Sequence, residues 1–373
     1  MTRLRVLTLL RAENAGLTRE LSRRGHEILA PESVAADLGA QPIGWPTDPH
    51  AVPNYLHKPL KDKLDLLNSS LPEAIKAVRE AGHLDALVVW TDATPMMRAA
   101  VLAAKQMGVP TFEVTHGALN TYRQGHFECE SYVDHILAPG QEEADFRTFY
   151  GSDVDVIQTG KPSLDWIANT DIVSTRQAIR EQLGLPDRRP IVIYGMTWRH
   201  PFSTWERDRD LGESDVARAH MALQHVCSPF LVIKPHYCMG SPAVAERVKQ
   251  AWSEAGAVEF AVYNGPVRGL LPAADLVVSH KSSLLVEAVL LDIPAIGFDF
   301  RERNDFRFYP ARGIEWVERR DDLLPAMLRC LLDRPTKNRL ATERESAKHY
   351  FNGPNDGRAT QRAADAIENL SES

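Results

Sequence analysis

Two polar side chains follow a buried strand in the second half of the chain. The segment "LVIKPH" ends in Lys234 and His236, with a stiff proline between them. An ammonium directly after a buried strand is costly unless an anion meets it, so the pair favours a phosphate site. A lysine that extends its amine along the surface into water is the simpler interpretation.

A second polar group breaks the apolar stretch "VVSHKSSLLVEAVLL". Ser282 and Ser283 are predicted to cap and begin a helix, whose free N–H groups favour a phosphate. Glu287 follows Ser283 by one helical turn and can face the same side. Serine is also an ordinary helix cap that needs no ligand. The neighbouring strand end with Lys234 and His236 is what favours the ligand.

Two further strand ends carry residues that could do chemistry. His116 and Gly117 follow "TFEVT", and an imidazole there could act as a general base near neutral pH. Gly195 and Thr197 follow "PIVIY", where a glycine turn and a hydroxyl can offer donors to phosphate. A histidine bonded to backbone and an ordinary turn between strand and helix explain the same residues without a ligand.

Motifs of several other enzyme classes are missing from the sequence. There is no Gly-x-x-x-x-Gly-Lys-Ser/Thr loop, no Gly-x-Gly-x-x-Gly after a strand and no Gly-x-Ser-x-Gly elbow. The pairs Asp153/Asp155 and Asp208/Asp210 could hold a divalent metal, but neither follows a convincing buried strand. We expect both pairs in solvated loops, and we expect no metal and no cofactor.

The elements that must position these residues alternate between strands and helices. Apolar runs such as "RVLTLL", "LDALVVW", "RPIVIYG" and "AADLVVS" alternate with helical segments such as "PMMRAAVLAAKQMG" and "PAVAERVKQAWSEAG". This alternation predicts an α/β protein whose parallel sheets are covered on both faces. The series occurs twice, so we expect two Rossmann-like domains that face one cleft, with ligands beyond the carboxyl ends of the strands.

The segment with the least periodicity between the two series is "QTGKPSLDWIANTD", at residues 158–171. We therefore expect an N-terminal domain over residues 1–160 and a C-terminal domain over 161–345. Residues 346–373 include "NDGRATQRAADAIENL", which predicts a terminal helix that crosses back to the N-terminal domain.

Length and composition fit a two-domain globular protein of 373 residues, with 44% hydrophobic and 25% charged residues. The net charge of −7 disfavours wholesale binding to nucleic acid or anionic membranes. The four cysteines form no Cys-x-x-Cys pair, which favours reduced thiols in the cytoplasm. No stretch is long and apolar enough to predict an integral membrane segment.

Taken in order, several segments resemble one family. "VTHGALN", "VIQTGKPSLDW", "VIYGMTW", "LVIKPH", "SHKSSLLVEAVLLDIPAIGFD" and "DGRATQRAADAI" are similar to the strand ends of GT-B-fold transferases. The similarity is greatest to CDP-glycerol glycerophosphotransferase-like and capsule-type glycosyltransferases. A distant relation to UDP-N-acetylglucosamine 2-epimerases is also visible. The resemblance covers most of the chain from about Asp85 onward.

The resemblance implies a role for each matching residue. His116 would be the base that deprotonates the acceptor hydroxyl, and Glu287 could bind a ribose or sugar hydroxyl. Tyr263 would stack on the nucleobase. Gly117, Asn120 and Arg123 would lie on the acceptor side. The donor-binding residues would be Gly195, Thr197, Lys234, His236, Tyr263, His280, Ser282, Ser283 and Glu287.

The sequence departs from its relatives at two places. The epimerases carry a glutamate in the segment that holds His116, which argues against an epimerase mechanism. The glycerophosphotransferases usually have an aspartate-tyrosine pair before the serines, where this chain has His280 and Lys281. The donor therefore need not be CDP-glycerol.

The sequence thus predicts a metal-independent glycosyltransferase that moves a sugar, or a polyol phosphate, from a nucleotide donor to an acceptor hydroxyl. Direct displacement with one base would invert a sugar carbon, and UDP is among the candidate nucleotides. The acceptor could be a glycan, a polymer or modified DNA. The alternatives are a 2-epimerase-like enzyme, a transferase acting on hydroxymethylated DNA bases, and a binding module without catalysis.

Overall fold

The computed structural model divides into two compact units. The first contains Met1–Ala168 and His349–Ser373, and the second contains Asn169–Lys348. The division at Ala168 lies within the segment at 158–171, eight residues beyond the domain boundary expected at residue 160. The structure describes residues 2–45, 60–92, 94–115, 131–149, 151–185, 188–196, 212–236, 242–280, 282–300 and 312–372.

The first unit is built on a sheet of seven parallel strands in the order β3-β2-β1-β4-β5-β6-β7. The central strands are continuous apolar runs because helices cover both faces of a parallel sheet. The order reverses between β1 and β4, which is where such sheets open a crevice. The strands are β1 (Arg5–Leu9), β2 (Glu27–Pro31), β3 (Gln41–Ile43), β4 (Ala86–Val89), β5 (Thr111–Val114), β6 (His135–Ala138) and β7 (Asp155–Gln158).

The helices of this unit begin and end at residues suited to those positions. Thr94 caps α4 by accepting a hydrogen bond from the Met97 N–H, and Pro95 occupies the first helical position. Asp165 caps the terminal helix α13 by accepting from the N–H groups of Ala359 and Thr360 at 2.8 and 2.9 Å. The helices are α1 (Ala15–Arg23), α2 (Glu32–Leu38), α3 (Leu60–Glu80), α4 (Pro95–Gln106), α5 (Gln141–Phe149), α6 (Asp165–Ala168) and α13 (Ala359–Ser371).

The second unit contains a sheet of six parallel strands in the order β10-β9-β8-β11-β12-β13. This is the doubly wound order of nucleotide-binding sheets, with its reversal between β8 and β11. The strands are β8 (Ile191–Gly195), β9 (Phe230–Lys234), β10 (Phe260–Val262), β11 (Leu276–Ser279), β12 (Ala295–Phe298) and β13 (Ile314–Val317).

Helices flank the second sheet, and one long helix ends in the first unit. Asp171 caps α7 by accepting from two backbone N–H groups of its first turn. Among the cysteines that the structure describes, Cys227 and Cys330 are free thiols. The helices are α7 (Ile172–Gln182), α8 (Glu213–Gln224), α9 (Pro242–Glu254), α10 (Leu284–Leu290), α11 (Leu323–Leu332) and α12 (Arg334–Asn352).

The predicted fold class, two Rossmann-like α/β domains, is confirmed. The exposed Asp155 is a correction, because it begins the edge strand β7 and its carboxylate lies 2.9 Å from His135 Nδ1, whereas we expected a loop. Within the described part of the chain, no helix is both long and apolar enough to cross a membrane.

Candidate functional site

Four residues form one row across the carboxyl edge of the second sheet. Lys234 pairs in register with Gly195, Gly195 with Ser279, and Ser279 with Gly297. Strands lie about 4.8 Å apart, so the residues that directly follow these four lie side by side. The hydroxyl of Ser279 donates to the Gly195 carbonyl at 2.7 Å, which joins the two strands at the reversal point. The row therefore brings the predicted Lys234 and Ser282 segments to one edge.

The two glycines in this row let α10 approach the sheet closely. A Cβ at Gly195 would lie 2.5 Å from Leu284 Cδ2, at the first residue of α10. A Cβ at Gly297 would lie 3.1 Å from Leu285 Cδ1 and 2.5 Å from the Trp316 ring. The absence of a side chain at Gly195 makes room for Leu284, and its position beside a bound phosphate stays a prediction.

Lys234 is a buried cation at the end of β9. Its side chain is almost fully buried, and its amine donates to the Pro235 carbonyl at 2.9 Å. Burial lowers the pKa of the Lys234 amine, and the negative charge of Glu287 opposes that shift. Glu287 on α10 is therefore near enough for its charge to act on the Lys234 amine.

A pocket of about 370 Å³ opens next to this lysine. One wall is the end of β9, where His236 is half-buried. The other wall is the loop after β10, in which Asn264 is exposed. The volume lies in the range of small-ligand sites. The lining residues are Lys234, Pro235, His236, Asn264, Gly265, Pro266 and Val267.

Tyr263 supports the pocket loop from the side. Its backbone N–H donates to the Ile233 carbonyl at 2.9 Å, which continues the pairing of β10 with β9. Its hydroxyl would lie 2.4 Å from a Cβ at Gly265 and 2.9 Å from one at Gly269, so the ring rests against the loop backbone. Burial raises the pKa of the Tyr263 phenol. We predicted stacking on a nucleobase, and the observed contacts give this ring a supporting position in the loop.

Ser282 and Ser283 immediately precede α10, and both are half-buried. The Leu284 N–H donates to Ser282 Oγ at 3.2 Å, which is the capping role given above as the simpler interpretation. That bond uses the hydroxyl as an acceptor and leaves its proton available to a ligand. Ser283 makes no capping bond through its side chain. The Glu287 N–H donates to the Ser283 carbonyl at 3.0 Å, so the two residues lie one turn apart as predicted.

His280 is buried, with only 2% of its surface exposed. Its Nε2 lies 3.4 Å from Asp299 Oδ1, and its ring packs edge-on against Phe298 with the centroids 5.7 Å apart. We predicted that His280 binds the donor, but in the structure its ring faces the interior of the second unit.

Several predicted residues lie outside the part of the chain that the structure describes. The catalytic prediction, His116, is one of them, and it follows the last described residue after β5, Thr115. The others are Gly117, Asn120, Arg123, Thr197, Asp208, Asp210 and Lys281.

The first unit contains a buried charged cluster that sequence reasoning missed. Glu113 Oε1, in β5, lies 3.7 Å from Arg147, which also pairs with Glu143 at 2.7 Å. Burial raises the pKa of Glu113 well above its usual range; the nearby Asp92 and Glu143 add to the rise, and Arg147 opposes it. The only sequence signal is a single acidic residue within the apolar strand "TFEV".

Asp299 and the loop from Asn264 to Val267 were also missed at the second sheet. Their segments are far apart in sequence, and only strand pairing brings them to the same edge. The signal that could have found Asp299 is its position directly after β12, one strand beyond His280.

Comparison with known proteins identifies a family that matches most of the chain. Residues 96–369 match the family described as CDP-Glycerol:Poly(glycerophosphate) glycerophosphotransferase. A teichoic acid poly(glycerol phosphate) polymerase from Bacillus subtilis (strain 168) is 24% identical over 241 residues. That match covers 62% of this chain, and the chain spans only 29% of the length of this relative.

Two solved structures share the fold of the whole chain. The UDP-GlcNAc 2-epimerase from Neisseria meningitidis, solved with UDP-GlcNAc bound, has a TM-score of 0.65 at 15% identity, covering 99% of this chain and 100% of that one. A variant of the wall teichoic acid polymerase TagF has a TM-score of 0.61 at 12% identity, covering 99% and 89%. Both likenesses confirm the GT-B fold predicted from the sequence. Because the family match extends over most of the chain, this protein belongs to the CDP-Glycerol:Poly(glycerophosphate) glycerophosphotransferase family.

Proposed function

We propose that the protein transfers glycerol phosphate from CDP-glycerol to a hydroxyl of a polyol phosphate polymer. The observation that carries this proposal is the family match over residues 96–369, which includes the whole described site edge of the second unit. The name of the Bacillus subtilis relative supports a polymer as the acceptor. A cationic pocket at a nucleotide-binding sheet edge supports a diphosphate donor.

The proposed reaction is a nucleophilic substitution at phosphorus. The acceptor oxygen forms a bond to the phosphorus that carries glycerol, and the bridge between the two phosphates breaks. CMP leaves with the bridging oxygen, and the acceptor hydroxyl loses its proton. A phosphodiester is the product. Inversion at a sugar carbon, which we expected for a sugar donor, has no place in this reaction.

The residues at the sheet edge would hold the diphosphate. The Lys234 amine keeps two protons beyond the one donated to Pro235, and bound phosphate would favour its charged form. His236 faces the same pocket, and the Ser282 and Ser283 hydroxyls can each donate to a phosphate oxygen. Their charge-assisted bonds would stabilise the negative charge that develops on departing CMP. Because protein groups would supply this positive charge, the proposal includes transfer without a metal ion.

Two further roles follow from the same arrangement. Glu287 lies one turn beyond Ser283, where its carboxylate could accept from a ribose hydroxyl. Asn264 and the backbone of its loop could contact the base, with Tyr263 holding that loop. His116, which comes two residues after the end of β5 in the sequence, would take the acceptor proton.

The family description favours CDP over UDP as the nucleotide of the donor, and it favours glycerol phosphate over a sugar as the transferred group. The epimerase likeness is one of fold at 15% identity and supports no second activity. Transfer to modified DNA gains no support from the family, and the net charge of −7 opposes it.

The test is to incubate the protein with CDP-glycerol labelled in its glycerol and a poly(glycerol phosphate) acceptor. We expect one CMP to be released for each labelled glycerol phosphate that is incorporated into the polymer. We expect the same result in the presence of EDTA. His116→Ala should lower the rate by roughly 10²–10⁴-fold while CDP affinity is retained. Release of CDP in place of CMP would contradict phosphoryl transfer, and a His116→Ala variant with normal turnover would remove the proposed base.

A further inference from the structure

A buried imidazole and a buried carboxylate meet at the ends of β11 and β12, and the imidazole comes two residues before the candidate phosphate turn in the sequence. His280 follows β11 and Asp299 follows β12, and these neighbouring strands pair in register up to Ser279 and Gly297. Each side chain is only 3% exposed, and His280 Nε2 lies 3.4 Å from Asp299 Oδ1. A carboxylate this deeply buried is costly without a donor, so the imidazole N–H is part of what stabilises it.

The histidine is fixed on two other sides as well. Its ring packs edge-on against Phe298, which stacks on Phe300 with the centroids 4.8 Å apart. The residue before it, Ser279, is bonded to the Gly195 carbonyl at 2.7 Å. The backbone therefore leaves the sheet in a fixed direction at His280, two residues before Ser282.

We propose that His280 and Asp299 form a positioning dyad that sets the Ser282–Ser283 turn for the diphosphate of the donor. This inference rests on the proposed function, and it changes the role of His280 from ligand contact to support. The buried ring has almost no surface to offer a ligand, but it is connected to the turn through one residue. Asp299 orients the ring, as carboxylates commonly orient a functional imidazole.

The dyad also gives a physical reason for a histidine at this position. A residue that only filled space at the end of β11 would need no donor toward Asp299. An imidazole combines a flat apolar body, which packs on Phe298, with an N–H at its far end. Glutamine can place an amide donor near the position of Nε2, whereas phenylalanine keeps only the ring. These two substitutions separate the hydrogen bond from the packing.

The experiment measures the affinity of the full chain for CDP and for cytidine in wild type, His280→Gln, His280→Phe and Asp299→Ala. We expect His280→Phe and Asp299→Ala to weaken CDP by about tenfold or more, because the turn loses its fixed direction. His280→Gln should retain most of the CDP affinity. Cytidine, which has no phosphate, should bind all four proteins alike. Urea unfolding of each variant reports separately on any loss of stability.

His220→Phe is the matched control, because His220 is a second fully buried histidine of the same unit. Its Nε2 lies 2.8 Å from the Val258 carbonyl, before β10 and at the amino edge of the sheet. This variant should lose stability and keep its CDP affinity. Equal CDP affinity in wild type and His280→Phe, or loss in His280→Gln with retention in His280→Phe, would overturn the dyad. If the wild-type protein does not bind CDP, that result contradicts the proposed function, and the dyad proposal that rests on it is wrong as well.

Discussion

At the scale of single residues, the site depends on Lys234, whose buried positive charge lowers the stability of the folded protein. Burial lowers the pKa of Lys234, which means that the folded protein disfavours its charged form. A purely structural residue in that position would be apolar. The cost is offset in part by the field of Glu287 and by the bond to the Pro235 carbonyl. We infer that a bound diphosphate is what makes the charge favourable.

Lys234→Met tests this balance between stability and binding. Because the folded pKa lies below the unfolded value, the unfolded chain holds more protons between the two, and wild-type stability rises with pH there. Methionine should therefore raise stability at neutral pH, and its advantage should shrink as pH rises toward about 10.4, the usual lysine value. CDP should bind at least about tenfold more weakly, because a charge-assisted bond is lost. Urea unfolding at several pH values and calorimetry measure the two effects.

Lys348→Met is the control with the opposite sign. Lys348 pairs with Asp292 and Glu345 at 2.7 and 2.8 Å, and these bonds raise its pKa against the effect of burial. The control should lose a little stability at neutral pH and keep its CDP affinity. Lower stability at neutral pH in Lys234→Met would contradict the prediction.

The serines before α10 allow a second prediction at this scale. Ser282→Ala should cost about 1 kcal/mol of stability, because Leu284 loses its capping acceptor. Ser283→Ala should cost almost none, because its side chain caps nothing. The double variant should weaken CDP at least about tenfold and leave cytidine unchanged, since only CDP loses charged hydrogen bonds. Calorimetric titration and a denaturation curve separate the two effects.

Asp171→Ala is the control for loss of a cap. Asp171 accepts from the Val173 and Ser174 N–H groups at 3.1 and 3.2 Å, at the start of a different helix of the same unit. It should lose comparable stability and no CDP affinity. A double serine variant that behaves in the same way would show that the serines are caps and nothing more.

At the scale of elements, the turn is set by how closely α10 packs on the sheet. A Cβ at Gly195 would collide with Leu284, and a Cβ at Gly297 would collide with the Trp316 ring and crowd Leu285. Gly195 lies between Lys234 and Ser279 in the row at the carboxyl edge, and Gly297 lies on the far side of Ser279. The position of α10 on the sheet therefore depends on the absence of a Cβ at these two glycines.

Gly195→Ala should push Leu284, and with it the start of α10, away from β8. The added Cβ would lie 2.5 Å from Leu284 Cδ2, and overpacking of this kind costs about 1–3 kcal/mol. CDP affinity should fall, and Leu284→Ala in the same chain should restore part of it by making room. Gly44→Ala is the control, since nothing lies within 4 Å of its Cβ. Normal CDP affinity in Gly195→Ala would separate helix packing from the site.

The sequence predicts these elements unevenly, for physical reasons. Buried parallel strands such as β4 and β8 are continuous apolar runs, so their pattern is visible without a structure. The edge strands β3 and β7 are short and partly exposed, and their sequences resemble loops. Lys234 was predicted as a site residue because it ends an apolar strand. The contact of His280 with Asp299 depends on pairing between distant segments, which no local sequence pattern encodes.

At the scale of the whole molecule, each unit has its own sheet and its own hydrophobic core. The donor-binding candidates that the structure describes all belong to the second unit, on or beside β8, β9, β10 and β11. Binding of CDP should therefore stabilise the second unit directly. A ligand that binds only the folded state stabilises it by about 2.7 kcal/mol at a hundred times its Kd.

Hydrogen exchange of the full chain, with and without saturating CDP, tests that division. We expect amides in β8, β9 and β11 to exchange up to about a hundredfold more slowly with CDP, since opening of their unit must first release the ligand. Amides in β1 and β4 of the first unit should change much less. Adding CDP to the Ser282→Ala, Ser283→Ala double variant at the same concentration should give far weaker protection. Slower exchange confined to β1 and β4 would place the nucleotide in the first unit and contradict the site described at Lys234.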